Sequence, residues 1–288
     1  MRWCLSRVES RALCRLFCCM PVPGRGQIPS AVRLLEDKIQ RRRFLPGALA
    51  LAALSAFASD VSARGQGHTR FHPDWEKHPS TRYAALDAPA CLAELGRRKI
   101  TFTPVQSAPG VLAPVRLPDD VGGVVYRTAI AKHLRATNPY DVFDCRLVLA
   151  LHDFSNVLRA HDIEEVLIFS AWRPPGKQWD DGKLGHRHPG ALAIDAYRFG
   201  KKRLAGQTER AWLEVEKDFH GTIGPAPCGP SAAPPSPSTP EARELRSIAC
   251  EAADQHFFTS ILTPNYNRAH RNHFHLEITP EVRWFLVR

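Results

Sequence analysis

Residues 272–279 of the chain read Asn-His-Phe-His-Leu-Glu-Ile-Thr. Polar and apolar side chains alternate along this stretch, which is the pattern of a β-strand whose successive side chains point to opposite faces of a sheet. His273, His275 and Glu277 therefore share one face. The opposite face is wholly apolar and is predicted to be buried: Phe274, Leu276 and Ile278.

A second histidine-containing stretch lies earlier in the chain, where residues 185–195 read Gly-His-Arg-His-Pro-Gly-Ala-Leu-Ala-Ile-Asp. His188 lies in a Pro-Gly turn, and Asp195 lies in the apolar run that follows and that predicts a strand. Zinc accepts imidazole nitrogen and carboxylate oxygen, and a catalytic zinc site keeps one coordination position for water. His188, Asp195 and His275 would supply three such ligands, so the sequence predicts a Zn(2+) site.

Neither histidine pattern is specific by itself. A His-x-His pair on a strand is more often incidental than metal-binding, and a histidine and an aspartate seven residues apart carry little information alone. Together, in a chain with 13 histidines, they favour the metal-site interpretation. Sequence motifs of other chemistries are missing: there is no Gly-x-Ser-x-Gly, no phosphate-binding glycine loop and no His-Glu-x-x-His.

Residues 41–63 predict a signal peptide. Three arginines precede an uncharged apolar run, and the segment ends in Val-Ser-Ala, a small-residue cleavage pattern. The run has about 15 residues whereas a membrane-spanning helix needs about 20, so a removed signal is favoured over a permanent anchor and over a buried helix. Arg-Arg-Arg-Phe-Leu at 41–45 resembles a twin-arginine signal, and general secretion is the alternative.

The rest of the chain divides around this signal. Residues 1–40 are interpreted as an over-extended N-terminus or a long basic region of the signal, with Met20 as a candidate start. Residues 64–90 are expected to be a flexible lead-in, and residues 91–288 to be the folded domain. Seven prolines at 221–240 predict an irregular surface insertion in that domain.

Charge and cysteine content change once residues 1–63 are set aside. The whole chain has a formal charge of +10, but residues 1–63 contain 10 Lys and Arg against 4 Asp and Glu, which leaves 29 against 25 and a net charge of +4. This modest charge argues against nucleic acid as a partner. Four cysteines remain, and an oxidising compartment would pair them in one of three ways. The pairing we expect is Cys91–Cys145 and Cys228–Cys250.

Local patterns predict four further elements. Apolar residues at helical spacing indicate a helix over 146–160, and residues 165–172 and 191–197 read as buried strands. Thr239 followed by a proline predicts the start of a helix, with a hydroxyl cap. The apolar face of that helix would be Leu245, Ile248, Ala249 and Ala252.

Three motifs resemble the bacterial extensin-like C-terminal domain family. They are Ser-Ala-Trp-Arg at 170–173, the segment 188–195, and Asn-Tyr-Asn-Arg-Ala-His-Arg-Asn-His-Phe-His-Leu at 265–276. The resemblance extends from Cys91 to Arg288, and that family is similar to the zinc peptidases grouped with lysostaphin and the D-alanyl-D-alanine peptidases. It implies an α+β fold of that zinc-peptidase type, with a small antiparallel sheet flanked by helices.

The resemblance also implies roles for single residues. The three ligands named above match the zinc ligands of the family. His273 matches a histidine that assists catalysis by moving a proton or by stabilising the tetrahedral intermediate. Arg173 matches an arginine that engages a substrate carboxylate or carbonyl, for which the guanidinium fork is suited. Gln178 matches a substrate-binding glutamine of some relatives.

The sequence departs from the family pattern Ser-x-His-x-x-Gly before the aspartate. His186 stands in place of the serine and Ala191 in place of the glycine, with Gly190 one position early. The loop is therefore expected to differ in shape, and His186 to join or disturb the metal ligands. Glu277 replaces a common aspartate and is expected to support a ligand or act as a general base. His270 is expected to line the cleft.

These expectations combine into one function. The chain is expected to be an exported, periplasmic or extracellular, zinc-dependent peptidase-like protein that hydrolyses amide bonds of cell-wall peptidoglycan peptides, with no membrane anchor after signal cleavage. A D-alanyl-D-alanine carboxypeptidase or a murein endopeptidase would be the reaction type. The alternative is a non-catalytic wall-binding or structural domain that keeps the same fold.

Overall fold

The computed structural model describes residues 72–180 and 182–288. The helices of this part of the chain are α1 Pro79–Ala84, α2 Ala88–Arg97, α3 Lys132–Arg135, α4 Cys145–Ala160, α5 Val215–Asp218 and α6 Pro240–Asp254. Its strands are β1 Thr103–Pro104, β2 Pro114–Arg116, β3 Val125–Thr128, β4 Phe143–Asp144, β5 Ile163–Ile168, β6 Ala193–Lys201, β7 Trp212–Glu214, β8 Ser260–Leu262, β9 Phe274–Glu277 and β10 Leu286–Val287. Single 3-10 turns occupy Trp75–Lys77, Pro139–Asp141, His188–Gly190 and Arg268–His270.

The main sheet has seven strands in the order β10-β8-β9-β6-β5-β3, and β7 pairs with the second half of β6. Its centre, β8-β9-β6-β5, is antiparallel. Both edges are parallel pairs, β3 with β5 and β10 with β8. A second sheet of three short strands, β1-β2-β4, is antiparallel throughout. The predicted α+β class is therefore confirmed, with the added finding that the edges of the main sheet are parallel.

The two faces of β6 and β9 have different surroundings. Ile194 lies opposite Leu276, and Ala196 opposite Phe274, in the antiparallel register of the two strands. These four side chains belong to the main hydrophobic core. The alternate pairs of this register, which include Asp195 with His275, point to the opposite face of the sheet. The packed core therefore lies on one side of these strands and the polar side chains lie on the other.

Helix α4 is the central helix of the core. Its sequence-predicted apolar residues Leu147, Leu151, Phe154 and Leu158 are all buried, and it packs against α1, α2, α6 and β5. Asp144 caps its first turn, accepting a hydrogen bond from the backbone N–H of residue 146. The disulfide Cys91–Cys145 ties the start of α4 to α2, as expected from the sequence.

Helix α6 begins as predicted, since the Thr239 hydroxyl accepts a hydrogen bond from the Ala242 N–H at 3.1 Å. Residues 221–239, which contain most of the predicted proline-rich insertion, form neither helix nor strand. The disulfide Cys228–Cys250 joins that insertion to α6, so the second expected pairing is also confirmed.

Residues 72–90 differ from the expectation of a flexible lead-in. This segment contains a 3-10 turn, α1 and the start of α2, and the Tyr83 ring is buried in the main core. The backbone N–H of His72 donates to the carbonyl of Arg283 at 2.9 Å, so the segment is fixed to the C-terminal end of the chain. The apolar residues of this segment do not recur at helical or strand spacing, so the sequence pattern did not predict their burial.

The predicted signal peptide at 41–63 and the segment 1–40 lie outside the described residues. Within residues 72–180 and 182–288, none of the helices combines the length and the apolar character needed to cross a bilayer. The two disulfides are consistent with an oxidising compartment.

Candidate metal centre

Two of the predicted ligands are neighbours across a pair of strands. Asp195 of β6 lies directly opposite His275 of β9, and Ala193 lies opposite Glu277. The His275 Nδ1 atom is 3.0 Å from Asp195 Oδ1. Because the strand period alternates faces, this register sets both side chains on the side away from the main core. The sheet itself, rather than a loop, positions them.

The third predicted ligand comes from the turn that precedes β6. His188 is buried, and its Nε2 atom lies 3.1 Å from Asp195 Oδ1. Its Nδ1 atom lies 2.9 Å from the carbonyl oxygen of Ala171, which can only accept, so Nδ1 donates to this carbonyl and Nε2 is the nitrogen directed at Asp195. One potential ligand atom each of His188, Asp195 and His275 lies within 4.8 Å of the other two. The structure thus brings the three predicted ligands together.

The turn around His188 is held in an unusual backbone conformation. Arg187 and Ala191, on either side of it, both have φ 52°, a region that glycine tolerates better than other residues. A Cβ atom added at Gly190 would lie 2.1 Å from the Gly185 carbonyl oxygen, so these two backbones approach each other closely. Ala191 therefore keeps the conformation that the family's glycine would favour, and the expected change of loop shape is not required by this substitution.

Glu277 supports His275 from the side opposite to Asp195. Its Oε2 atom lies 3.0 Å from His275 Nε2, and its Oε1 atom accepts a hydrogen bond of 2.8 Å from the Thr279 hydroxyl. The Arg187 Nε atom is 3.4 Å from the same carboxylate. Glu277 is buried and engaged on both oxygens. Of the two roles expected for it, this arrangement favours support of a ligand over that of a general base.

His273 lies at the edge of the three-residue group. Its Nε2 atom is 3.4 Å from Asp195 Oδ1, and its Nδ1 atom is 2.8 Å from the Asn272 side-chain oxygen. His270 packs against it, with ring centroids 5.1 Å apart. His273 is therefore the nearest further imidazole to the carboxylate of Asp195 within the described chain.

Arg173 reaches the same carboxylate from the exposed side. Its guanidinium forms an ion pair with Asp195, and its Nε atom donates to the Ser170 hydroxyl at 2.8 Å. The backbone N–H of Arg173 donates to the His188 carbonyl at 3.0 Å, which ties the segment after β5 to the turn that contains His188. Half of the Arg173 side chain (52%) is exposed. A cation that faces solvent beside a buried carboxylate is available to an anionic ligand.

Gln178 and His186 do not lie with the potential metal ligands. Gln178 is exposed on the loop after β5 and makes no side-chain hydrogen bond to the described site residues. His186 is exposed and lies outside the three-residue ligand group, so it neither joins nor blocks the potential ligands. The signal for Gln178 was its spacing from Arg173 alone, and spacing along an irregular loop does not fix where a side chain points.

Burial and hydrogen bonding set the protonation of the group. Burial raises the pKa of Asp195, but hydrogen bonds from His188 and His275 outweigh it and hold this pKa well below its usual value. Burial lowers the pKa of His275, and its hydrogen bonds to Asp195 and Glu277 outweigh burial and raise it. Burial lowers the pKa of His273 to about 4, so this imidazole is neutral near pH 7.

Sequence reasoning missed the aromatic wall next to these residues. Phe169 and Tyr197 are stacked with ring centroids 4.2 Å apart, and Phe169 is 42% exposed. Cavities lie on both sides of Phe169, one of about 350 Å³ that reaches Arg173 and one of about 340 Å³ that reaches Asn272. Phe169 directly follows β5 and Tyr197 lies in the adjacent strand β6, and the sequence signal was only an aromatic residue after a short apolar run.

The C-terminal part of the chain is similar to a known family. Residues 235–287 match the family described as extensin-like protein C-terminus. The matched span includes α6, β8 and β9 with His273, His275 and Glu277, and it ends before the C-terminal residue. It supports the resemblance to the extensin-like C-terminal family for this part of the chain. A search of the curated proteins finds no significant match.

Proposed function

We propose that the chain is an exported, zinc-dependent, peptidase-like protein that hydrolyses amide bonds in the peptides of cell-wall peptidoglycan. The observation that carries the proposal is the convergence of His188, Asp195 and His275 on one buried point beside a half-exposed arginine. Two imidazoles and one carboxylate are the ligand types of catalytic zinc sites. The signal peptide predicted at 41–63 and the two disulfides support the location outside the cytoplasm.

The residues present fit a zinc ion in their donor atoms and in their support. The Ala171 carbonyl fixes His188 with its Nε2 atom toward Asp195, and Glu277 fixes the His275 ring from its far side. Such outer contacts orient metal-binding imidazoles and fix their tautomers. Zinc held there would polarise the scissile carbonyl and supply a water with a pKa near about 7.

The surrounding side chains would bind the substrate and move the proton. Neutral His273, 3.4 Å from Asp195, can accept a proton at its Nε2 atom and return it to the leaving amine. Arg173 would exchange its ion pair with Asp195 for a bidentate contact with a substrate carboxylate. The cavities beside Phe169 would receive the peptide on both sides of the scissile bond. Gln178 remains a proposed substrate contact that requires movement of its loop.

The test combines zinc content with turnover. Purified protein reloaded with zinc should release wall peptides from peptidoglycan, whereas His188→Ala should lose the zinc of this site and the activity. The exposed His133→Ala is the matched control and should keep both. Full zinc content in His188→Ala, together with no release of fragments by the parent protein, would refute the proposal.

One observation favours the alternative of a non-catalytic wall-binding domain. Arg173 forms an ion pair with Asp195, and this ion pair neutralises the carboxylate without a metal ion. In that case the protein would sediment with peptidoglycan without cleaving it, Arg173→Ala would weaken sedimentation, and His188→Ala would not change the zinc content.

A further inference from the structure

A second group of three histidines is formed by other parts of the chain. His72 precedes the first 3-10 turn, His78 is the residue before α1, and His256 follows α6. One potential ligand atom of each lies within 4.8 Å of the other two. His72 and His78 are six residues apart, His256 comes 178 residues after His78, and none of the three belongs to the centre described above.

The three rings pack as one cluster. The ring centroids of His72 lie 4.9 Å from His78 and 5.2 Å from His256, and those of His78 and His256 are 4.0 Å apart. Phe285 contacts all three rings, with centroid distances from 4.2 to 5.3 Å. The phenyl ring therefore shields the imidazoles from solvent on one side, which strengthens any electrostatic interaction within the cluster.

Two nitrogens in this cluster are buried without a hydrogen-bond partner among the described residues. They are Nδ1 of His72 and Nε2 of His78. Buried polar atoms are normally paired, because an unpaired one forfeits its hydrogen bonds to water. In His256 the Nδ1 atom donates to the carbonyl of Asp254 at 3.0 Å, which leaves Nε2 with its lone pair free. Each imidazole thus has a nitrogen that can serve as a metal ligand.

The backbone of His256 limits which substitutions can be used to test its ring. His256 has φ 52° directly after the last residues of α6, at the position where helices most often have glycine. A residue with a Cβ atom is strained there. Lys99 and Asp162 have similar φ values after α2 and α4, so a residue that replaces His256 must tolerate this conformation.

We propose that His72, His78 and His256 form a second binding site for a divalent first-row cation such as Zn²⁺, with water as the fourth ligand. Imidazole nitrogen suits zinc, and three histidines with one water form a known type of zinc coordination. The rings of His78 and His256 are stacked at an interplanar angle of 23°, so they rotate about their Cβ–Cγ bonds when the ion binds. The ion would join the segment before α1 to the end of α6.

The test uses zinc alone as the probe and His256→Asn as the variant. Asparagine tolerates the left-handed conformation but lacks the imidazole, so the variant should fold as well as the parent in the presence of a chelator. All measurements are made on the full chain and repeated in the His188→Ala background, which removes a ligand of the first centre. His133→Asn, an exposed histidine in α3, is the matched control.

The proposal predicts one zinc per chain in His188→Ala and none in His188→Ala/His256→Asn. Saturation of the second site at 100 times its dissociation constant should raise the melting temperature of His188→Ala by roughly 5–10 °C, and this rise should vanish in the double variant. Zinc content or thermal shift unchanged by His256→Asn would overturn the proposal, as would no zinc in His188→Ala. Failure of the first centre gives a different result: His188→Ala would then match the parent, while His256→Asn would still lose its ion.

Discussion

The residues next to His188 show how a candidate ligand is fixed by its neighbours. Ala191 has a left-handed helical backbone and Arg187 combines φ 52° with ψ −134°, conformations that cost a non-glycine residue roughly 1–3 kcal/mol each. Strain of this kind persists where the surrounding structure over-determines it. Here the Leu192 N–H donates to the Arg187 carbonyl at 2.9 Å, and the Arg173 N–H donates to the His188 carbonyl. The turn is therefore rigid before any metal binds.

Gly190→Ala is predicted to disrupt this turn. Its Cβ atom would lie 2.1 Å from the Gly185 carbonyl oxygen, and both groups are backbone, so the turn must shift and His188 with it. We expect a loss of stability of about 2 kcal/mol or more, judged by the cost of overpacking, and reduced zinc content, measured by chemical unfolding and metal analysis. Gly96→Ala is the control, because a Cβ atom at Gly96 contacts nothing and alanine favours helix α2 by about 1 kcal/mol. Equal effects of the two changes would contradict this account.

Glu277→Gln is predicted to weaken zinc binding rather than only the chemical step. The carboxylate contacts His275 Nε2 at 3.0 Å and orients this ring. Loss of such outer contacts lowers metal affinity about 10–100-fold. Competition with a zinc chelator measures the affinity, and peptide release at saturating zinc measures turnover. Normal zinc affinity with strongly reduced turnover would instead assign Glu277 the role of general base.

At the scale of elements, α4 depends on a buried ion pair at its start. Asp144 accepts hydrogen bonds from the Arg146 backbone and side chain, at 3.0 and 2.8 Å, and from the Leu112 N–H at 3.1 Å. Both charged side chains are almost fully buried. The pair holds the helix cap, the residues before β2 and the end of β4 at one point.

Asp144→Ala is predicted to cost about 3–5 kcal/mol, because it leaves the buried Arg146 without its partner charge. The double variant Asp144→Ala/Arg146→Met should lose less, since no unpaired charge remains in the core. Chemical unfolding of the two variants and the parent gives the comparison. If the single and double variants were equally unstable, the stability would depend on the helix cap that Asp144 provides and not on its charge pairing with Arg146.

The sequence predicted those elements whose signal is local. Helices α4 and α6 follow from apolar periodicity and a capping residue, and β9 from its alternation of polar and apolar side chains. The parallel edge pairs, β3 with β5 and β10 with β8, join short segments without a distinctive pattern, and their pairing depends on tertiary packing. The ligand group was predictable because both of its motifs are short. The cluster of His72, His78 and His256 was not, since chain folding alone brings these residues together.

At the scale of the whole molecule, two disulfides restrict the unfolded chain. Cys91 and Cys145 are 54 residues apart, and Cys228 and Cys250 are 22 apart. The entropy of loop closure therefore predicts losses of about 4 and about 3 kcal/mol when each bridge is replaced by two alanines. Chemical unfolding under non-reducing conditions should give this order. The reverse order would show that the irregular insertion at 221–239 contributes more to the folded state than loop length implies.

The connectivity of these bridges has a consequence for biosynthesis. After residue 63, each cysteine is bonded to the next cysteine in the chain, and the two loops neither overlap nor enclose one another. An oxidase that joins cysteines in the order in which they emerge would therefore produce the native pairs at the first attempt. Maturation of this protein should proceed without a disulfide isomerase and require only a thiol oxidant.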